Sequence, residues 1–204
     1  MKTIFWDFDG VILESMKVRD WGFEQIFKDY DQKLIDQLLT YHRINGGLSR
    51  YVKIRYFFEE LLGQSVTEER VLEYAKKFST LMRKELTNTK NLIVDTIDFI
   101  KNNYQNYNFH IVSGSDQEEL RFLNKELGID QYFISIHGSP IAKKILVKSL
   151  LEKHDYSLAN TCLIGDSIND YEAALENDIS FYGFNNLSLK SIGANYISSF
   201  KDFK

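Results

Sequence analysis

Proline occurs once in the 204 residues, at Pro140, and cysteine once, at Cys162. One cysteine excludes an internal disulfide, and its run Thr161-Cys-Leu-Ile164 reads as a core strand, so Cys162 is expected to serve packing. A single proline beside 44% hydrophobic residues excludes a disordered or fibrous chain. Long apolar runs are missing as well. The first is broken after about five residues by Asp7 and Asp9, too short for a signal-peptide hydrophobic region, and nothing later approaches a membrane span. Nor is there an excess of positive charge. The formal charge of −4 gives no broad attraction for nucleic acid or anionic lipid, so any anion site must be local. The expectation is a cytoplasmic protein with neither a nucleic-acid nor a membrane partner. Monomer and homodimer are both left open.

What is present begins with Asp7 and Asp9, in Lys2-Thr-Ile-Phe-Trp-Asp-Phe-Asp-Gly-Val-Ile12. Thr3 to Phe8 reads as a buried strand, and period-2 alternation would turn the two carboxylates to one face. Crowding like charges is costly. A divalent cation would offset it, while one carboxylate attacks and its neighbour handles protons. The plain alternative is an Asx-rich turn after a strand.

From Ser15 to about Leu86 there is no convincing strand, and apolar residues recur at helical spacing, as in Trp21, Phe23, Ile26, Phe27 and in Leu34, Ile35, Leu38, Leu39. Further helices are expected around Ile54, Phe57, Phe58 and Leu61, then over Val71 to Leu81, with Gly46-Gly47 and Gly63 dividing them. Trp21, Phe57 and Phe58 follow this periodicity and are expected in the core. After about Asn88 helix and strand alternate. Strands are predicted at Phe109 to Val112, Phe133 to Ile136, Thr161 to Ile164 and Ile179 to Tyr182, with helices between them. That rhythm implies one parallel sheet, with residues 1–14 and 88–204 as an α/β core and 15–87 as an inserted helical cap.

Ligands of open parallel sheets collect beyond the carboxyl ends of the strands. The first predicted strand ends in Asp7-Phe-Asp-Gly10, the second in Ser113-Gly-Ser115 and the fourth in Gly165-Asp-Ser-Ile-Asn-Asp170, while Lys143 and Lys144 open the helix after the third. In this order and with these residues the chain resembles the haloacid dehalogenase-like hydrolase superfamily, in its phosphatase and phosphomutase branch with a helical cap after the first motif. The similarity covers nearly the whole chain. It extends to the tail, Gly193-Ala-Asn-Tyr-Ile-Ser-Ser-Phe200, and implies a Rossmann-like core under an all-helical cap.

The resemblance implies that Asp7 is a nucleophile forming an aspartyl phosphate. It makes Asp9 the acid/base, whose backbone carbonyl also helps hold the metal. Dehalogenases of the family lack the second Asp, so Asp9 argues for phosphoryl transfer. Asp166 matches a direct magnesium ligand and Asp170 a second acidic position, so the implied metal set is Asp7, Asp9, Asp166 and Asp170, with Mg2+ suited to oxygen donors. Ser113 and Gly114 would cradle a phosphate oxygen, with Ser115 as a candidate helix cap. With Ser139 as cap and Pro140 at the first helical position, Lys143 shares a face with Val147 and Leu150, so Lys143 is expected to turn inward and stabilise the phosphoryl oxygens. Asn45-Gly-Gly-Leu-Ser-Arg50 is similar to a cap segment of sugar-phosphate mutases, which would make Arg50 a grip for a second anionic group. Lys53, His42 and Arg43 nearby read as an ordinary solvated basic face.

Together these readings point to a magnesium-dependent phosphatase acting on a small phosphorylated metabolite. Its rivals are a phosphomutase and a non-catalytic module that binds a phosphorylated ligand.

Overall fold

The computed structural model describes residues 2–192 and 195–203. Six strands form one parallel sheet in the order β3-β2-β1-β4-β5-β6: β1 Lys2–Trp6, β2 Tyr107–Asp116, β3 Ser135–Ser139, β4 Thr161–Gly165, β5 Ser180–Gly183 and β6 Asn195–Tyr196. Parallel strands require crossovers, which α5 (Val94–Asn103), α6 (Gln117–Glu126), α7 (Lys143–His154) and α8 (Ile168–Leu175) supply. Both sheet faces are therefore covered, and β1 is buried from Thr3 onward and apolar from Ile4 to Trp6. On one face Trp6 packs edge-on against Phe109 and tilted against Phe99 and Phe200; on the other Phe5 joins Val112, Val147 and Leu163.

Between β1 and α5 the chain is helical: α1 Met16–Phe27, α2 Gln32–Ile44, α3 Arg50–Tyr56 continuing through a π turn at Phe57–Leu61, and α4 Glu68–Glu85. Where this stretch leaves and rejoins the core, the two strands of chain are tied together. Glu14 N–H donates to Asn91 C=O, Ile93 N–H donates to Ile12 C=O, and Leu13 bridges Leu92. The helices have their own aromatic centre, with Phe27 stacked on Phe57 and Tyr74. Phe57 and Phe58 are buried there, but Trp21 is 36% exposed and is not core. Among the described residues no helix is long and apolar enough to cross a membrane.

Several predicted boundaries move. The third strand begins at Ser135 and runs through Gly138 and Ser139, so Pro140 lies in a turn and is not the first helical residue. The helix starts at Lys143 after Ala142, which makes no side-chain cap. Asp116 caps α6, accepting from the N–H groups of Glu118 and Glu119, which frees Ser115 for another partner. Within the tail a short strand forms at Asn195–Tyr196; Gly193 and Ala194 lie outside the described residues.

Candidate active site

The sheet order changes direction between β1 and β4, and the crevice at their carboxyl ends is where an open α/β sheet binds its ligand. Trp6 pairs with Ile164 across these strands, and Asp7 N–H donates 2.9 Å to Ile164 C=O. That register places Asp7 opposite the end of β4, one residue before Asp166. Gly10 then turns the chain with φ of +75°, and a Cβ there would lie 2.0 Å from an Asp166 carboxylate oxygen. Glycine is required at that approach.

Asp7, Asp166 and Asp170 each bring a carboxylate oxygen within 4.8 Å of the others. Asp7 is buried, and Lys143 Nζ stands 2.9 Å from its Oδ1 while also contacting Asp170. Burial first, then repulsion from Asp170, pushes the Asp7 carboxyl up to about 7, against the pull of Lys143. Asp166 is driven well above the carboxylate range by burial, Asp7 and Asp170. Burial opposes the charge on Lys143, but Asp170 and Asp7 outweigh it and keep its pKa raised. Three carboxylates facing one ammonium leave an excess of negative charge. An all-oxygen donor set with that excess fits a hard divalent cation.

Asp170 differs from the other two. Its Oδ2 accepts from the N–H groups of Asp166 and Ser167 and from the Ser167 hydroxyl, closing a capping box at the start of α8, and Oδ1 faces Lys143. Its oxygens thus hold the loop in shape. Asp7 and Asp166 have fewer protein partners and are better disposed to bind a cation directly.

Asp9 does not join this cluster. Period-2 alternation fails because β1 ends at Trp6, and the Asp9 carboxylate turns toward the helices. Arg19 Nε donates 2.7 Å to Oδ1, where the Ser15 hydroxyl also donates, and the Ser115 hydroxyl donates to Oδ2. Burial would raise its pKa, but Arg19, Ser115 and Ser15 outweigh burial and hold Asp9 below the usual carboxylate range. The crowded carboxylates are therefore those of Asp7, Asp166 and Asp170, and Asp9 is a paired anion.

Ser113 is buried within β2, where the pairing with β3 shifts register between Val112 and Asp116, and its hydroxyl accepts from Ser115 N–H at 3.2 Å. Gly114 touches the insertion directly: a Cβ there would lie 2.3 Å from the Gly47 carbonyl oxygen. Lys144, by contrast with Lys143, is exposed and pairs with Glu176 at 3.0 Å.

Arg50 is not available as a free anion grip. Its guanidinium makes two bonds to Glu119, at 2.7 and 2.6 Å, donates 2.6 Å to the Ser79 hydroxyl and lies over the Phe78 ring. Glu119, on the core helix α6, also receives Arg19 Nη1 at 3.3 Å. Nor are His42 and Lys53 solvated. Both are 2% exposed, with Lys53 Nζ 2.8 Å from His42 Nδ1. Only Arg43 is exposed, beside Asp20. The sequence reading missed Arg19, Glu119 and Ser15, and it gave Lys53 to a solvated face and Ser115 to a helix cap, roles the structure does not bear out. A fully buried glutamate in a polar-looking helix would have been signalled only by knowledge of its distant arginine partners.

Comparisons with known proteins bear on the fold and the family. Residues 4–184 match the family model described as haloacid dehalogenase-like hydrolase. No curated protein matches the chain by sequence. Among solved structures, β-phosphoglucomutase from Clostridium difficile is similar with a TM-score of 0.78 and 16% identity, covering 100% of this chain and 93% of that one. A haloacid dehalogenase-like family hydrolase from Streptococcus pneumoniae has a TM-score of 0.70 and 20% identity, covering 97% and 93%. A predicted phosphoglycolate phosphatase from Haemophilus somnus has a TM-score of 0.73 and 17% identity, covering 99% and 96%. At these identities the solved structures speak for the fold alone, whereas the family match spans β1 through β5. The chain belongs to the haloacid dehalogenase-like hydrolases.

Proposed function

We propose that this protein is a magnesium-dependent phosphatase that removes phosphate from a small metabolite, with residues 15–87 acting as the cap. The observation that supports it best is the oxygen cluster of Asp7, Asp166 and Asp170 around Lys143 at the sheet's switch point. In this reading Asp7 and Asp166 hold Mg2+, with Asp170 behind them and the Asp9 backbone carbonyl completing the set. The ion, when bound, screens the carboxylates and the phosphoryl oxygens from one another.

Asp7 Oδ attacks phosphorus and the leaving oxygen departs, forming an aspartyl phosphate. Lys143 and the Ser113-Gly114 segment of β2 stabilise the phosphoryl oxygens. To protonate the leaving oxygen Asp9 first takes a proton from solvent, against the pull of Arg19, Ser115 and Ser15. As the anion that Arg19, Ser15 and Ser115 sustain, it takes a proton from the water that hydrolyses the acyl phosphate. Gly47 against Gly114 brings the cap onto the core beside the site, next to a cavity of about 240 Å³ that Lys143 also lines. The phosphomutase alternative draws on the Gly-Leu-Ser-Arg50 segment, but Arg50 is occupied by Glu119.

Acid-quenched mass spectrometry during turnover of phosphate esters with Mg2+ tests the reading. A phosphate adduct on the peptide carrying Asp7 is expected, with free phosphate as product. Turnover without the adduct, or interconversion of sugar phosphates without phosphate release, would count against it.

A further inference from the structure

Beside Asp9, between the helical insertion and the core, lies a cavity of about 20 Å³, lined by Arg19, Lys53, His42 and Arg50 with Phe23 and Phe78 as its apolar wall. Three cationic side chains line or border it, Arg19, Arg50 and Lys53, against two carboxylates, Asp9 and Glu119. Among these groups the cations outnumber the carboxylates by one, with Asp166 of the neighbouring cluster acting on Lys53 from further away. Arg50 is satisfied by Glu119, so the excess falls on the other two cations. Lys53 Nζ contacts only His42 Nδ1 and the Gly46 carbonyl oxygen, and among the described residues no carboxylate stands within ion-pair distance of it. Arg19 is 5% exposed, and while its Nε and Nη1 are engaged by Asp9 and Glu119, its Nη2 has no partner among the described residues.

A buried ammonium with no anion is costly, as is a buried guanidinium N–H with no acceptor. Burial and then Arg19 lower the Lys53 pKa to about 7, a strain that an arriving anion would relieve. We propose that Arg19 and Lys53 form a second anion site that takes the carboxylate of a short phosphorylated hydroxy acid, on the leaving-group side of Asp9. The site rests on the phosphatase reading above, and it assigns to Lys53, one turn further along α3, the grip that Arg50 cannot supply. The space between these side chains is small: 20 Å³ admits about one water, so it can receive the end group of a ligand and not an aryl or hexose ring. A carboxylate entering here would displace the water the cavity can hold and meet Arg19 Nη2 and Lys53 Nζ, the two groups without an anionic partner of their own.

Phosphoglycolate and ethyl phosphate share one two-carbon framework and differ by a carboxylate in place of a methyl group, so their kcat/KM ratio reads the site. The wild type is expected to favour phosphoglycolate by about a hundredfold or more. In Lys53→Met the ratio should fall by at least about thirtyfold, and Lys53→Arg should keep most of it. A wild-type ratio near one, a ratio unmoved in Lys53→Met, or a preference for a two-carbon bisphosphate would overturn the assignment. Melting curves with glycolate at tens of millimolar check it without turnover: glycolate should raise the Tm of the wild type and not of Lys53→Met. If no ester is hydrolysed, the phosphatase reading fails, and these melting curves decide the anion site alone. Equal shifts, or none in either protein, would sink it.

Discussion

The guanidinium of Arg50 and the carboxylate of Glu119 meet at two points, 2.7 and 2.6 Å, with Glu119 wholly buried. One belongs to the helical insertion and the other to the core, so this pair helps determine how the two are docked. Removing one partner strands the other charge in a dry seam. Glu119→Leu should therefore cost about 3–5 kcal/mol of stability. Because Arg19 retains Asp9, the double change Arg50→Met with Glu119→Leu should recover most of that loss. Urea unfolding of the four proteins in a double-mutant cycle measures it, and additive losses would show that the pair does not act as a unit.

Asp7→Asn keeps the shape of the side chain and removes the nucleophile. Turnover of any phosphate ester should fall by about 10⁴-fold or more, as for loss of a nucleophile elsewhere. The fold should persist, since amide replaces a carboxylate already crowded by Asp170. A variant that keeps a tenth of the wild-type kcat would remove Asp7 from its role.

The parallel sheet was legible because each buried run is short, rich in β-branched and aromatic residues, and separated by a helical period. Asp7 and Asp166 could be placed because a strand end has one position in such a sheet. Lys143 could be oriented because Val147 and Leu150 mark the inward face of its helix. The seam was not legible. Arg19 and Glu119 are 100 residues apart, and Ser115 and Asp9 are 106 apart, so no local period marks either pair. Lys53 looked like part of a solvated basic face for the same reason: what buries it comes from α1 and α2, not from its neighbours in sequence. The third strand was displaced because Phe133 and Ile134 have strand-like composition, yet hydrogen bonding extends through Gly138 and Ser139 instead.

Metal should matter more to stability at high pH than at low pH. The Asp7 carboxyl has a folded pKa of about 7 against an ordinary value of 3.8, so the unfolded chain releases its proton first. Stability of the metal-free protein then falls as pH rises from about 4 through 7. A divalent cation offsets this by binding the ionised form. Added Mg2+ should raise Tm strongly at pH 8 and little at pH 5, corresponding to about 2.7 kcal/mol at a hundredfold excess over Kd. Asp166→Asn should lose the shift while melting higher than the metal-free wild type at pH 8. Equal magnesium shifts at both pH values would contradict the cluster as the binding site.

Gly114 has backbone contact with Gly47 across the seam, with no room for a methyl group. Gly114→Ala should hold the insertion away from the core. We expect kcat/KM to drop by about 10²-fold through misplacement of the site, with Tm changed far less. Limited proteolysis should cut the Gly46-Gly47 loop faster in the variant. Unchanged cleavage would mean that the contact is not what keeps this loop covered.

His110 gives the fold an acid limit distinct from the active site. It is fully buried in β2, 2.6 Å from the Ser135 hydroxyl and 3.0 Å from the Tyr156 hydroxyl, with the His154 ring 5.2 Å away. Burial first, then His154, His137 and Lys153, lowers its pKa to about 4. Since the unfolded histidine binds a proton near 6.5 and the folded one does not, stability is full above pH 6.5 and declines as pH falls toward 4. His137, which shares Ser135, shifts in the same direction. With Mg2+ present to hold the carboxylates steady, the wild type should lose about 2 kcal/mol between pH 6.5 and 5. His110→Leu leaves the Ser135 and Tyr156 hydroxyls without that partner and should be less stable at pH 8, yet its stability should depend less on pH. Urea midpoints at the two pH values separate these effects, and parallel pH slopes in the two proteins would show that His110 is not the group that titrates.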